Sequence, residues 1–187
     1  MASPLVLVLD FDGVIVDLDI DWAKVRREVS LAVGRKISSM NEFWRDSFGT
    51  DEFLTGSKIA ERYELDAISE IKQQKITEIS RALETARAPP SPTVCYVASL
   101  QSEAVLNAFF GRNGLSNFFV EVLGRCSYGS KKSQLEHIRK LHNDSRVIMI
   151  DDSGPVQGIC EELGIEYVRF RSKDDLGSMM SSVLRSR

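Results

Sequence analysis

The chain has 187 residues, 24 basic and 27 acidic, for a net charge of −3. That balance argues against a surface built to hold a nucleic-acid backbone and leaves any anionic substrate to be attracted by local cations. The three cysteines (Cys95, Cys126 and Cys160) are odd in number, widely spaced and form no CxxC, so neither a disulfide framework nor a zinc site is expected, and a reducing cytoplasm fits best. No apolar run approaches the length of a membrane span, and Met1-Ala2-Ser3-Pro4 is too short to be a signal peptide ahead of the first strand. The length suits one sizeable core plus a smaller accessory unit.

Leu5 to Leu9 is a short, continuous aliphatic run, the mark of a strand buried on both faces. It ends in Asp10-Phe11-Asp12-Gly13. Helical spacing follows at Trp22, Val25, Val29 and Val33, with Asp19 and Asp21 at the favoured end and Gly34 as a stop. A second helix is predicted from Met40 to Phe48, ending near Gly49. Ile68, Ile71, Ile76, Ile79, Leu83 and Ala86 predict one long amphipathic helix, closed by Pro89-Pro90-Ser91-Pro92. Residues 18–90 thus read as an all-helical insert. Strands are then predicted at Thr93–Ala98, Phe118–Leu123, Arg146–Ile150 and Glu166–Phe170. They alternate with helices through Val105–Phe110, Lys131–Leu141 and Val156–Leu163, and with a last helix opened by a Ser172–Asp175 capping box. Such alternation predicts an α/β protein with a doubly wound, mostly parallel sheet.

Chemistry-bearing residues gather at strand ends and helix starts. Asp10 and Asp12 close the first strand, where open α/β sheets hold ligands. Burying two acids beside an apolar core is costly without a compensating cation or hydrogen bonds. Ser99 ends the second strand just before a helix, where a hydroxyl and free N–H groups make a ready phosphate site. Lys131 and Lys132 open a helix against its macrodipole, a small penalty that hints at a role in holding negative charge. Asp151-Asp152 ends the fourth strand, and a divalent cation would relieve the repulsion between them.

Asp10-Phe11-Asp12-Gly13-Val14-Ile15-Val16-Asp17 resembles the first motif of the haloacid dehalogenase (HAD) superfamily, DxDG(T/V). Ser99, the lysine pair and Asp151-Asp152 resemble its later motifs, in the same order, and the helical insert resembles its helical cap. The likeness spans nearly the whole chain, nearest to phosphoglycolate-phosphatase-like members. It departs from the family where Gly129-Ser130-Lys131-Lys132 stands for the frequent GKPxP, and where Val156 and Gln157 replace a further acid. The resemblance implies a Rossmann-like sheet in the order 5-4-1-2-3, with 1–17 and 91–187 as catalytic core and 18–90 as cap. It implies Asp10 as nucleophile, Asp12 as general acid and base, Ser99 and Lys131 as phosphate contacts, and Asp10, Asp12, Asp151 and Asp152 around one Mg²⁺. Lys131 stands at the family's usual spacing before Leu135, with Lys132 as the alternative.

The implied activity is a Mg²⁺-dependent phosphatase acting on a small phosphorylated metabolite. Asp12 argues against dehalogenation, whose leaving group needs no proton. A phosphomutase of the same fold, or a non-catalytic binding or regulatory protein on this scaffold, are the alternatives. Arg45, Lys58 and Arg62 are candidate cap contacts to the substrate. His137 and His142 read as structural or surface residues, and Trp22 and Trp44 as core residues of the cap. No nucleic-acid or membrane partner is expected, and the chain is read as a monomer or homodimer.

Overall fold

The computed structural model describes residues 4–87, 93–171 and 175–185. The proline stretch 89–92, Ser172 and residues 1–3 lie outside them. Strand β1 (Leu5–Leu9) is at most 6% exposed at any residue. It pairs in parallel with β2 (Thr93–Ala98) on one side and β4 (Arg146–Asp151) on the other. β3 (Glu121–Leu123) and β5 (Glu166–Arg169) form the edges, so the five-stranded sheet runs β3-β2-β1-β4-β5, the expected order.

Side chains of successive strand residues point to opposite faces, and the core divides accordingly. Leu5, Leu7, Leu9, Val97, Ile148 and Ile150 face α4 (Gln73–Arg87), α5 (Glu103–Arg112) and α9 (Leu176–Arg185). Val6, Val8, Tyr96, Ala98, Val147 and Met149 face α7 (Lys131–Leu141) and α8 (Gly154–Leu163). By the same alternation, Asp10 and Asp151 continue the second set, toward the start of α7. Among the described residues no helix is long and apolar enough to cross a membrane.

The helices of segment 18–90 pack in two directions. α1 (Trp22–Ala32), α2 (Met40–Asp46) and α3 (Asp51–Ser69) share a cluster of Val25, Val29, Phe43, Trp44, Phe53 and Ala60. Asp21, Ser39 and Thr50 cap their N-termini by accepting N–H groups of Lys24, Glu42 and Phe53. α4 instead lays Ile76, Ile79, Leu83 and Ala86 on the sheet's core. The expected single helix over Ile68–Ala86 is therefore two. Its marker residues step by five between Ile71 and Ile76, off the helical period, and the chain breaks there between Ser69 and Gln73.

Two further expectations are corrected, and one element is unexpected. The third strand is shorter than Phe118–Leu123, because Ser116–Phe118 forms a 3₁₀ turn and Phe119 packs into the core. A four-residue helix, α6 (Arg125–Tyr128), precedes α7. At α9, Asp175 is itself the cap, accepting the Ser178 N–H at 2.7 Å.

Neither histidine touches the cavity described below: His137 meets Glu121, and His142 Nε2 lies 2.8 Å from the Tyr96 hydroxyl. Burial, helped by Arg139, holds His142 below its ordinary 6.5. The unfolded chain then takes up this proton first on acidification. His142 contributes stability that is present above pH 6.5 and lost as pH falls toward the folded value. The slope of unfolding free energy between pH 7.5 and 5.5 should be shallower in His142→Gln.

Candidate active site

Asp10 leaves the C-terminal end of β1 with its N–H bonded to the Ile150 carbonyl, 3.0 Å away. The next residue anchors the turn: Phe11 is fully buried and meets Phe109 and Phe110 edge-on, at 5.0 and 5.6 Å between centroids. Its carbonyl accepts the N–H groups of Ile15 and Val16, folding 11–16 back on itself. One side chain thus goes into the core while Asp10 and Asp12 on either side of it face the cavity. Gly13 lets the turn close. Its φ is +84°, and a Cβ there would overlap the Asp152 carboxylate, with Cγ only 2.6 Å away. Gly13→Ala should lose about 1–3 kcal/mol in urea unfolding.

Lys131 reaches the acids and Lys132 does not. Lys131 Nζ lies 2.9 Å from Asp10 Oδ1 and 3.1 Å from Asp151 Oδ2, and donates to the Ala98 carbonyl at 2.7 Å. Lys132 lines the cavity, but its ammonium pairs with Glu162. The contact with Asp151 Oδ2 has ion-pair distance without hydrogen-bond geometry, so this fully buried oxygen has no hydrogen-bond donor. Burial works against the Lys131 ammonium, but the two carboxylates outweigh it and hold the group above its ordinary value.

Burial pushes the Asp10 carboxyl up to about 7, with Lys131 opposing and Asp151 adding to the rise. Asp12 is pushed up to about 6, again chiefly by burial. Its Oδ1 accepts the Leu18 N–H at 2.8 Å, which opposes the shift, and the charges of Asp152 and Asp17 add to it. Asp152 is raised by partial burial and by its neighbour Asp151.

Asp10, Asp151 and Asp152 bring ligand atoms within 4.8 Å of one another, whereas the Asp12 carboxylate stands outside this group. The donors are all hard oxygens, which suits Mg²⁺. Three carboxylates against one ammonium leave two negative charges, and the buried Asp151 Oδ2, though in ion-pair contact with Lys131, lacks a hydrogen-bond donor. A divalent cation fits both deficits.

The acids open onto a cavity of about 1030 Å³, whose other wall is Trp22, Arg26, Met40, Asn41 and Arg45 of α1 and α2. Of the three expected cap contacts, only Arg45 lines it, while also pairing with Asp46; Lys58 is exposed elsewhere and Arg62 pairs with Glu28. Trp44 packs in the α1–α3 cluster and also touches the cavity. Ser99 is fully buried, and its hydroxyl donates to the Gln101 side-chain carbonyl. Gln101 lines the cavity and Ser99 does not. Sequence reasoning passed over Gln101, Gln134, Glu64 and Arg125, all buried polar residues around this loop. None has a spacing signal; a buried charge is visible only once the fold encloses it.

No family model matches the chain, and no curated protein matches it in sequence. Solved structures do match. A haloacid dehalogenase-like family hydrolase from Streptococcus pneumoniae is 17% identical with a TM-score of 0.59, over 100% of this chain and 99% of that one. A Porphyromonas gingivalis protein assigned as a HAD-like family hydrolase is 15% identical with a TM-score of 0.59, over 100% of both chains. A Bacillus subtilis protein assigned as a HAD hydrolase, solved with magnesium bound, is 11% identical with a TM-score of 0.53, over 93% of this chain and 92% of that one. The chain has the fold of the HAD-like hydrolases.

Proposed function

We propose that the protein is a Mg²⁺-dependent phosphatase that hydrolyses a small phosphorylated metabolite through an aspartyl-phosphate. The observation that carries this reading is the Asp10–Lys131–Asp151 cluster at the ends of β1 and β4, facing a cavity with Asp12 at its edge. Asp10 is the nucleophile. Its carboxylate attacks phosphorus, the bond to the ester oxygen breaks, and that oxygen leaves with the electron pair and a proton from Asp12. Water then attacks the phosphorus, Asp12 takes its proton, and the bond to Asp10 breaks to release inorganic phosphate. A carboxyl poised near 6 suits a group that must give and take a proton near neutral pH. Lys131 neutralises Asp10 and holds it toward the cavity floor. Bound Mg²⁺, held by Asp10, Asp151 and Asp152, would supply charge neutralisation between the two approaching anions. The α1 and α2 wall encloses the leaving group and limits water.

Asp12 is the group that separates this reading from dehalogenation, since a phosphate ester needs a proton for its leaving oxygen and a halide does not. The test is phosphate release from an aryl phosphate and from a panel of small phosphorylated metabolites, with Mg²⁺ and with chelator. Chloride release from 2-chloropropionate and interconversion of sugar phosphates are run in parallel. Mg²⁺-dependent phosphate release supports the proposal. Chloride release, or interconversion without free phosphate, overturns it in favour of a dehalogenase or a mutase. Silence in all assays favours a non-catalytic role.

A further inference from the structure

Arg125 takes no part in the chemistry above, yet its side chain is fully buried and heavily partnered. It belongs to the sheet's side of the molecule, in α6 just after β3. Its guanidinium is enclosed by the helices of the other side. Nε donates to Ser57 Oγ at 2.9 Å, Nη2 to the Ser57 carbonyl at 3.1 Å, and Nη1 pairs with Glu64. The group lies 4.7 Å over the Trp44 ring.

The same pair grips the loop after β2 at Leu100 and Ser102, and the Arg125 backbone holds Gln101 between them. Arg125 Nη1 donates to the Leu100 carbonyl at 3.0 Å, and the Arg125 backbone N–H donates to the Gln101 carbonyl at 3.0 Å. Glu64 Oε2 accepts the Ser102 N–H at 3.4 Å. This loop holds Ser99 and presents Leu100 and Gln101 to the cavity. A buried ion pair adds little stability over apolar residues of the same volume. Its geometric demands are strict, because every buried donor and acceptor must be matched.

We propose that Arg125 and Glu64 are a positioning pair that ties the Ser99–Ser102 loop to helix α3, so that the loop facing the phosphoryl group is set only when the α1–α3 unit is docked. This role in catalysis rests on the phosphatase reading. Two hydrogen bonds from the ion pair's side chains, to Leu100 and Ser102, flank the one that the Arg125 backbone gives Gln101, and the pair's partners come from α6 of the sheet side and from helix α3. Docking and loop order therefore rise and fall together. Catalysis depends steeply on such placement; an error of about 1 Å can cost about 10²-fold.

The test is the double variant Arg125→Met/Glu64→Leu, which removes both charges at similar volume and leaves neither buried alone. Melting temperature, kcat and KM on an aryl phosphate with Mg²⁺, binding of inorganic phosphate, and amide exchange at Gln101 and Ser102 are measured on the full chain. The expected result is a folded protein with near-native melting, kcat lowered roughly 10²-fold, weaker phosphate binding and faster exchange in the loop. A purely structural pair would leave kcat of the folded variant unchanged, and that result overturns the proposal. If the double variant does not fold, Glu64→Gln keeps the shape and removes the charge. It should show the same direction in kcat and exchange, and native values in both overturn the proposal. If the wild type releases no phosphate, the phosphatase reading falls by itself. Loop exchange and phosphate binding then decide the positioning claim, which native values in both would overturn.

Discussion

On the proposed phosphatase mechanism, Asp10→Asn should abolish phosphate release, by about 10⁴-fold or more, while making the metal-free protein more stable at pH 7.5. The first effect follows from removing the attacking carboxylate, since loss of a nucleophile leaves only binding and electrostatic residues to act. The second follows from burial. The folded carboxyl is held up to about 7 against an ordinary 3.8. Between those values the folded state binds more protons than the unfolded state. Stability from this group is thus fully present below pH 3.8 and is lost as pH rises through about 7. Asparagine is neutral throughout and escapes that loss. Melting curves at pH 5 and 7.5, with chelator, should show the variant's advantage growing with pH. Mg²⁺ should raise the melting temperature of the wild type at pH 7.5 and do little for the variant. A variant that retains full phosphate release would remove Asp10 from the mechanism.

Arg125→Ala alone should destabilise the fold by about 3–5 kcal/mol, far more than the matched double replacement. Truncation leaves Glu64, itself fully buried, without its cation. Burial already pushes the Glu64 carboxyl above its ordinary value, with Arg125 opposing. The variant also loses the cation–π contact with Trp44 and the donors to Ser57 and Leu100. Urea unfolding should shift its midpoint with little change in slope. A loss under about 1 kcal/mol would mean that Glu64 is carried as a neutral acid and that the pair is weak.

The parts of this protein that could be read from sequence share one physical origin. A parallel strand covered on both faces leaves an unbroken aliphatic run, so β1 and β4 stand out, and the acids that end them mark the open edge of the sheet. Lys131–Leu141 is visible as a helix because one face alone is apolar, with Leu135 and Ile138 inward. Where a decision depended on three dimensions, the signal faded. The choice between Lys131 and Lys132 is made by which face of α7 meets Asp10. The Ser99 hydroxyl sits at the expected strand end, but the buried Gln101 takes it. The Asp12 carboxylate stands apart from the other three acids because the turn at Gly13 carries it to the Leu18 N–H. Arg125 and Glu64 are far apart in the chain and meet only through the fold, so nothing local announces them.

The placement of β1 at the centre of the sheet sets a delay during synthesis. Leu5 pairs with Thr93 on one side and with Arg146 on the other. The aliphatic segment Leu5–Leu9 is translated before both neighbours, and the second of them follows roughly 140 residues later. At roughly 5–20 residues per second that interval is about 7–28 s. The α1–α3 cluster uses contacts close in sequence and is able to condense in the meantime. Until then the nascent chain carries a wholly apolar strand with at least one edge unpaired, ahead of a partly folded helical unit. Chaperone capture of nascent chains should peak before residues 146–151 emerge and fall once they do.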